Sequence, residues 1–216
     1  MLKFILVVLA FSAATADLGL NAGTTTISRS TASCLRTQNV SRVAVEILND
    51  RGTFNTNYIN TFIYLLDANI SNVDAIVRIS DKFDPEGTCN NITRALPQAF
   101  NGTVWLAVET ASSWSVEVGR RIDFLEEFSL NCRAHGFKVG IFSKVTSWTL
   151  IMGSPTAGSD KLRTLPVWYF NDNGVDDFND FRYAGFGKWP SATMKEYRTS
   201  PYLCSNTFAG YEYYQR

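Results

Sequence analysis

Short apolar runs alternate with stretches of helical periodicity along most of the chain. Runs at residues 18–21, 43–48, 74–79, 104–109, 139–143, 165–170 and 193–197 predict strands, and 208–213 predicts a weaker eighth. Between them, Ile59, Phe62, Ile63 and Leu66 fall at i, i+3, i+4 and i+7, which predicts a helix burying that stripe. Val118, Ile122, Leu125, Phe128 and Cys132 form a second stripe, and Gly136 stands where a helix-closing glycine belongs. Alternating strands and helices predict a parallel sheet, because parallel neighbours need crossover connections. Eight strands fit an irregular TIM-like (β/α) barrel. The fit is tight, since such barrels usually run to about 250 residues and this chain has 216. Residues 171–190 are rich in Asp, Asn and Gly, so the expected α/β barrel is helix-poor in its last third. A doubly wound open sheet is the alternative.

The first residues change the picture of the compartment. Lys3 precedes an apolar run at 4–11, followed by Ser12-Ala13-Ala14-Thr15-Ala16. A charged start, a short apolar core and an A-x-A ending predict a secretory signal peptide over residues 1–16, leaving 17–216 as one domain. The run is too short to span a bilayer, and no later stretch reaches 18 apolar residues. Hydrophobic residues at 45% and charged residues at 19% make a globular composition, excluding a disordered tail or a fibre. Twenty basic residues against twenty acidic ones leave no basic excess for nucleic acid. Four N-x-[ST] sequons, at Asn39, Asn69, Asn91 and Asn101, agree with export and predict glycosylation. The expectation is a secreted, extracellular monomer that binds neither nucleic acid nor membrane.

Cysteine and histidine usage narrows the chemistry. Cys34, Cys89, Cys132 and Cys204 are an even set, so two disulfides are expected, with three pairings open. There is no C-x-x-C, and the single histidine, His135, reads as a surface residue at a helix end beside Gly136. No metal and no cofactor are implied, and acid–base work falls to carboxylates. In parallel barrels working groups project from the carboxyl ends of strands. Asn21, Glu109, Asp172 and Glu212 stand there. Trp105, Ala107 and Glu109 share one face of the fourth strand, so Glu109 is a carboxyl in apolar walls and a candidate general acid. Trp105, Trp168 and Tyr169 are candidates for stacking on sugar rings, with Trp114 and Trp189 behind them.

The run Thr103-Val104-Trp105-Leu106-Ala107-Val108-Glu109 resembles the W-L-D-[IV]-E strand of glycoside hydrolase family 25, the Chalaropsis-type lysozymes. Gly19-Leu20-Asn21 is similar to that family's opening G-[VF]-D, and Ser33-Cys34-Leu35 to an S/F-C-L of its animal and protist branch. Gly136-Phe137-Lys138-Val139-Gly140-Ile141-Phe142, Ser147-Trp148 with Ile151-Met152-Gly153, and Leu165-Pro166-Val167-Trp168-Tyr169 resemble G-x-x-V-G-I-Y, W-x-x-I-M-G and L-P-L-W-Y. Lys195-Glu196-Tyr197 resembles K-Q-Y, and Cys204 with Gly210-Tyr211-Glu212 the closing C-…-G-V-D. The motifs run in order along the whole mature chain.

The resemblance implies an irregular barrel and hydrolysis of the β-1,4 bond between N-acetylmuramic acid and N-acetylglucosamine in peptidoglycan. It also implies a four-carboxylate set, of which Glu109 alone is intact. Asn21 stands for the strand-one Asp, Ala107 for the first acid of D-x-E, and Glu212 for the last Asp. Residues i and i+2 of a strand point the same way, about 7 Å apart, so D-x-E aims two carboxylates at one bond. Ala107 supplies none. The leading expectation is a lysozyme-like protein of defence or bacterial digestion, directed at peptidoglycan or a related glycan, with a degraded acid pair and weak or no muramidase activity. The alternatives are an active muramidase using Glu109 and Glu212, and an extracellular interaction protein without glycan affinity. Barrel closure sets the last strand beside the first, which favours Cys34 with Cys204 and leaves Cys89 with Cys132.

Overall fold

The computed structural model describes residues 17–115 and 117–214; the leader proposed over 1–16 lies outside them. The first half runs β1 (Asp17–Gly23), α1 (Arg29–Thr37), β2 (Val40–Leu48), α2 (Tyr58–Asp67), β3 (Asn72–Arg78), α3 (Pro85–Ala95) and β4 (Thr103–Val108). Then come α4 (Val118–Ala134), β5 (Lys138–Ser143), α5 (Val145–Met152), β6 (Val167–Phe170), a single turn α6 (Phe181–Ala184) and β7 (Met194–Thr199). A small hairpin, β8 (Tyr202–Leu203) with β9 (Asn206–Thr207), leads into β10 (Gly210–Tyr214).

Eight strands close a barrel in the order β1-β10-β7-β6-β5-β4-β3-β2. Every predicted strand is present, and the open sheet is excluded. β1 to β7 are parallel, whereas β10 runs antiparallel to both neighbours. Only ten residues separate β7 from β10, too few for the crossover that a parallel neighbour needs. The hairpin turns the chain back instead.

Strand alternation divides the apolar residues between two cores. Ala44, Ile76, Trp105, Ala107, Phe142, Trp168, Met194 and Tyr214 fill the barrel interior. Phe142 and Trp168 stack at 3.9 Å, and Trp105 meets Trp168 edge-on at 5.6 Å. Gly140 admits this packing, because a Cβ there would strike the Trp105 ring. The second core lies between the barrel wall and the helices.

Two helices show how register is decided. In α2 the buried side chains are Tyr58, Thr61, Phe62 and Leu65, while Ile59 and Ile63 are exposed. The sequence stripe is therefore one residue out of phase. Aromatic packing decides it: Phe62 touches Tyr58 and Phe100, and the Tyr58 hydroxyl donates to the Ala95 carbonyl at 2.8 Å. In α4 Leu125, Phe128 and Cys132 are buried as expected, but Val118 is exposed. Gly136 closes α4 at φ +87°, with the Phe137 and Gly136 amides donating to Cys132 and Arg133 carbonyls, which is a Schellman ending.

The disulfides are Cys34–Cys204, joining α1 to the β8–β9 turn, and Cys89–Cys132, joining α3 to α4. The helix-poor segment after β6 is organised by one carboxylate. Asp180 accepts from the Tyr169 hydroxyl at 2.5 Å and from the Lys195 ammonium at 3.1 Å, and also from Asn171 and Asn173. Burial pushes the Asp180 carboxyl up, but these donors hold it below the usual carboxylate range. Lys195 is fully buried, so Asp180→Ala leaves an unpaired ammonium in the core. The expected loss is about 3–5 kcal/mol in urea unfolding, with much of it recovered by adding Lys195→Met.

Candidate active site

The carboxyl ends of the parallel strands form one mouth of the barrel, and Glu46, Glu109 and Glu196 stand toward it. Two cavities open beside it. One, of about 590 Å³, is lined by Asp50, Arg51, Lys82, Phe83, Thr110 and Ser113; the other, of about 350 Å³, by Glu46, Asn49, Phe54 and neighbouring threonines. Cavities of about 470 Å³ at the opposite mouth and about 570 Å³ on the flank have no carboxylate in their lining. Carboxylate chemistry belongs to the first mouth.

Hydrogen bonds between loops fix its rim. Ser113 donates to Asp50 at 2.7 Å while its carbonyl accepts from Ser80 at 2.8 Å, linking the loops after β2, β3 and β4. The Ser143 hydroxyl donates to the Val108 carbonyl at 2.5 Å. Thr199 at the end of β7 donates to Asp172 at 2.7 Å, holding the loop after β6.

Within this rim Glu109 is not a free acid. Arg78, the last residue of β3, donates to Glu46 at 2.8 Å through Nε and to Glu109 through a terminal nitrogen. Arg78 pairs in register with Ala107. An inward side chain as small as Ala107 leaves the space that a guanidinium takes beside Glu109. The carboxylate is thus engaged by a guanidinium and does not stand free at the mouth.

The other acids sit deeper. Asn21, inward on β1, donates from Nδ2 to Glu196 Oε2 at 2.7 Å, and its Oδ1 accepts from the Gly23 amide at 2.9 Å. That second bond fixes the amide so that its NH₂ must face Glu196. Glu196 is 5% exposed and packs under Gly210, where any Cβ would strike its carboxyl group. Burial pushes the Glu196 carboxyl up to about 7, reinforced by the charges of Glu109 and Asp172 and opposed by Asn21 and Arg78.

Glu212 lies beside Glu196 on β10 and is 1% exposed, with Gly19 leaving it room on the other side. Neither of its carboxyl oxygens has a hydrogen-bond partner. Burial holds Glu212 well above the ordinary carboxylate range, helped by Glu196 and Asp74 and opposed by Arg42. Below it, Asp74 accepts from Arg42 at 2.6 Å and from the Trp105 indole at 3.1 Å.

Several sequence expectations change here. Glu212 is not at a strand's carboxyl end, because β10 is reversed; it lies inside the barrel wall beside Glu196. Trp105 and Trp168 are interior packing, and Tyr169 faces outward against Phe178, Phe181 and Asp180, so none offers a ring to a sugar. Trp114 and Trp189 are buried as well, and half-buried Phe83 and Phe54 are the aromatics at the cavities. Glu46, Arg78 and Glu196 were missed, although inward alternation through Asp74 and Ile76 already aimed Arg78 at the mouth. His135 is an exposed helix cap as expected.

Comparison with known proteins matches this architecture. The family model described as "Lysozyme-like protein 1" matches residues 13–197. The chain belongs to the lysozyme-like proteins of glycoside hydrolase family 25 type. "Probable GH family 25 lysozyme 4" of Dictyostelium discoideum is 33% identical over 112 residues, covering 52% of this chain and 48% of that one. "Probable GH family 25 lysozyme 5" of the same organism is 27% identical over 169 residues, covering 76% of each. "Lysozyme-like protein 5" of Caenorhabditis elegans is 25% identical over 176 residues, covering 79% of each. The first of these matches spans about half the relative's length. A family GH25 lysozyme structure from Aspergillus fumigatus superposes with a TM-score of 0.72 at 10% identity, covering 94% of this chain and 95% of that one. A bacterial lysozyme from Streptomyces coelicolor gives 0.73 at 11% identity, with 94% of each covered. The structures share the fold of this lysozyme-like protein.

The buried acids predict an unusual dependence of stability on pH. A carboxyl raised in the folded state binds its proton more tightly there than in the unfolded chain. Its contribution is therefore full below about pH 4.5 and is lost as pH rises through about 7. For Glu196 the loss is about 3 kcal/mol. Glu196→Gln should raise the melting temperature at pH 8 and leave it nearly unchanged at pH 4, as differential scanning calorimetry will read.

Proposed function

We propose that this protein is an exported, glycan-directed lysozyme-like protein that holds peptidoglycan, or a related amino-sugar polymer, over the mouth of the barrel. In this reading it turns peptidoglycan over weakly or not at all through the family's own acid set. The observation that carries the reading is the Arg78 guanidinium, seated beside Ala107 and ion-paired to both Glu46 and Glu109. It supports a site that keeps hydrogen-bonding groups for a saccharide but has no free D-x-E pair. Loss of one essential member of a catalytic unit removes most of the rate, commonly 10³-fold or more.

Cell walls provide the test. The wild-type protein should sediment with insoluble peptidoglycan yet clear a wall suspension far more slowly than an active lysozyme. Rapid clearing contradicts the degraded-site reading, and failure to sediment contradicts the glycan-directed one. Ala107→Asp should raise the clearing rate measurably, because the new carboxylate draws Arg78 away from Glu109 and restores two acids on one strand face. Adding Glu109→Gln to that variant should abolish whatever is gained.

Export is part of the same proposal. All four sequon asparagines are exposed. Asn39, Asn69 and Asn101 sit just before β2, β3 and β4, at the barrel end opposite the candidate site. Asn91 lies within α3. Glycans on the first three would leave the mouth clear. Treating the secreted protein with an N-glycosidase should lower its mass by at least one glycan without changing wall binding; an unchanged mass removes this support for export.

A further inference from the structure

Resting on the glycan-directed reading above, we propose that Glu196 is the proton donor for a slow glycosidic hydrolysis at the barrel mouth, with Glu109 as its opposing carboxylate. Glu196 is inward on β7, like Met194, and level with Phe170, the last residue of β6. Its Oε2 is fixed by Asn21, whose own orientation is fixed by Gly23, while Gly210 provides the space the carboxyl group occupies. Glu109 stands three strands away around the wall, close enough for its charge to act on Glu196.

The two carboxyl groups have opposite surroundings. Glu109 is fixed by a guanidinium and is half-buried. Glu196 is almost wholly buried, and the partner holding it is a neutral amide. A buried acid held by a neutral donor, across the mouth from a carboxylate held by a guanidinium, is the division of surroundings that glycoside hydrolysis uses. The position is also matched to its partner. The sequence resemblance places an acid where Asn21 stands and an amide where Glu196 stands, so the acid–amide pair is exchanged rather than lost.

The step balances as follows. The Glu196 proton passes to the glycosidic oxygen as the C1–O bond breaks, and the bonding electrons leave with the alcohol. Water adds to the cationic C1 and gives its proton to Glu109. Exchange with solvent then returns a proton to Glu196 and removes one from Glu109. No further reactant is needed.

The groups facing Glu196 are Asn21 from β1, Glu212 from β10, Arg78 from β3, Glu109 beyond β4 and Asp172 after β6. Burial, with the charges of Glu109 and Asp172, keeps the proton on, and Asn21 and Arg78 oppose it. The residual rate should therefore be highest in acid and fall as pH rises through about 7.

The test measures reducing ends released from purified walls by the full secreted chain between pH 4 and 8. Glu196→Gln should lower the release about 100-fold and remove the fall near neutrality, while sedimentation with walls and folding are retained. Glu109→Gln should slow release but leave that fall in place, because the donor is intact. Release undiminished in Glu196→Gln overturns the proposal. So does a wild-type protein that binds walls and releases nothing at any pH, although the glycan-directed reading then stands. Absence of wall binding fells that reading itself. Carbon-13 titration of the Glu196 carboxyl gives an independent readout: a midpoint in the ordinary carboxylate range also overturns the assignment.

Discussion

Closing the barrel with a reversed strand is the constraint from which the site follows. A closed sheet has no edge to protect, but an antiparallel last strand places its residues in the reverse vertical order. Gly210 comes to the carboxyl mouth, Glu212 to the interior and Tyr214 to the opposite end, paired with Asn21, Gly19 and Asp17 in turn. Glu212 thus meets Glu196 side by side inside the wall. Two carboxyl groups in a medium of low polarity cannot both ionise cheaply. The rest of the interior answers that problem. Arg42 balances Asp74 below, Asn21 supplies a neutral donor to Glu196, and Arg78 balances Glu46 and Glu109 above.

Arg78 has a second consequence, because a guanidinium occupies area as well as charge. With two carboxylates on its fork, it closes part of the space that a second acid on β4 would fill. Deleting a side chain from a core usually leaves a cavity that costs stability. Here the small Ala107 is 1% exposed in a packed interior, and the polar side of the vacancy is taken by Arg78. A second acid on this face of β4 would therefore have to displace a cation as well as fit the packing.

Strand positions were readable because interior and exterior faces both select apolar residues, so every strand announced itself as a run. Direction was harder. Nothing in residues 208–213 distinguishes a parallel from an antiparallel strand; only the short connection after β7 decides it. The phase of α2 failed because residues 58/61/62/65 and 59/62/63/66 are both apolar enough, and contacts with Phe100 and Ala95, distant in sequence, choose between them. The stacking residues failed for a related reason. Trp105 and Trp168 look alike in sequence whether they roof a groove or fill a barrel, and an eight-stranded barrel has an interior that side chains must fill. His135, Gly136 and the cysteine pairing were readable, since each depends on local helix endings or on strand neighbourhood.

Asn21 and Glu196 form an amide–acid pair whose chemistry depends on which position carries the amide. Were position 21 an acid beside the present Glu196, two carboxyl groups would face each other across a hydrogen-bond distance of 2.7 Å. One of them would have to stay protonated, or both would be displaced. An amide at 21 removes the conflict and uses both its ends, one on Gly23 and one on Glu196. The buried acids at this point are then Glu196 and Glu212 rather than three, and the amide donor opposes the Glu196 proton without bringing a charge. Burial is the dominant influence on Glu196, ahead of Asn21 and the neighbouring charges. That is the setting in which a carboxyl group keeps its proton near neutrality, and it arises here because the compensating residue is an amide and not an arginine.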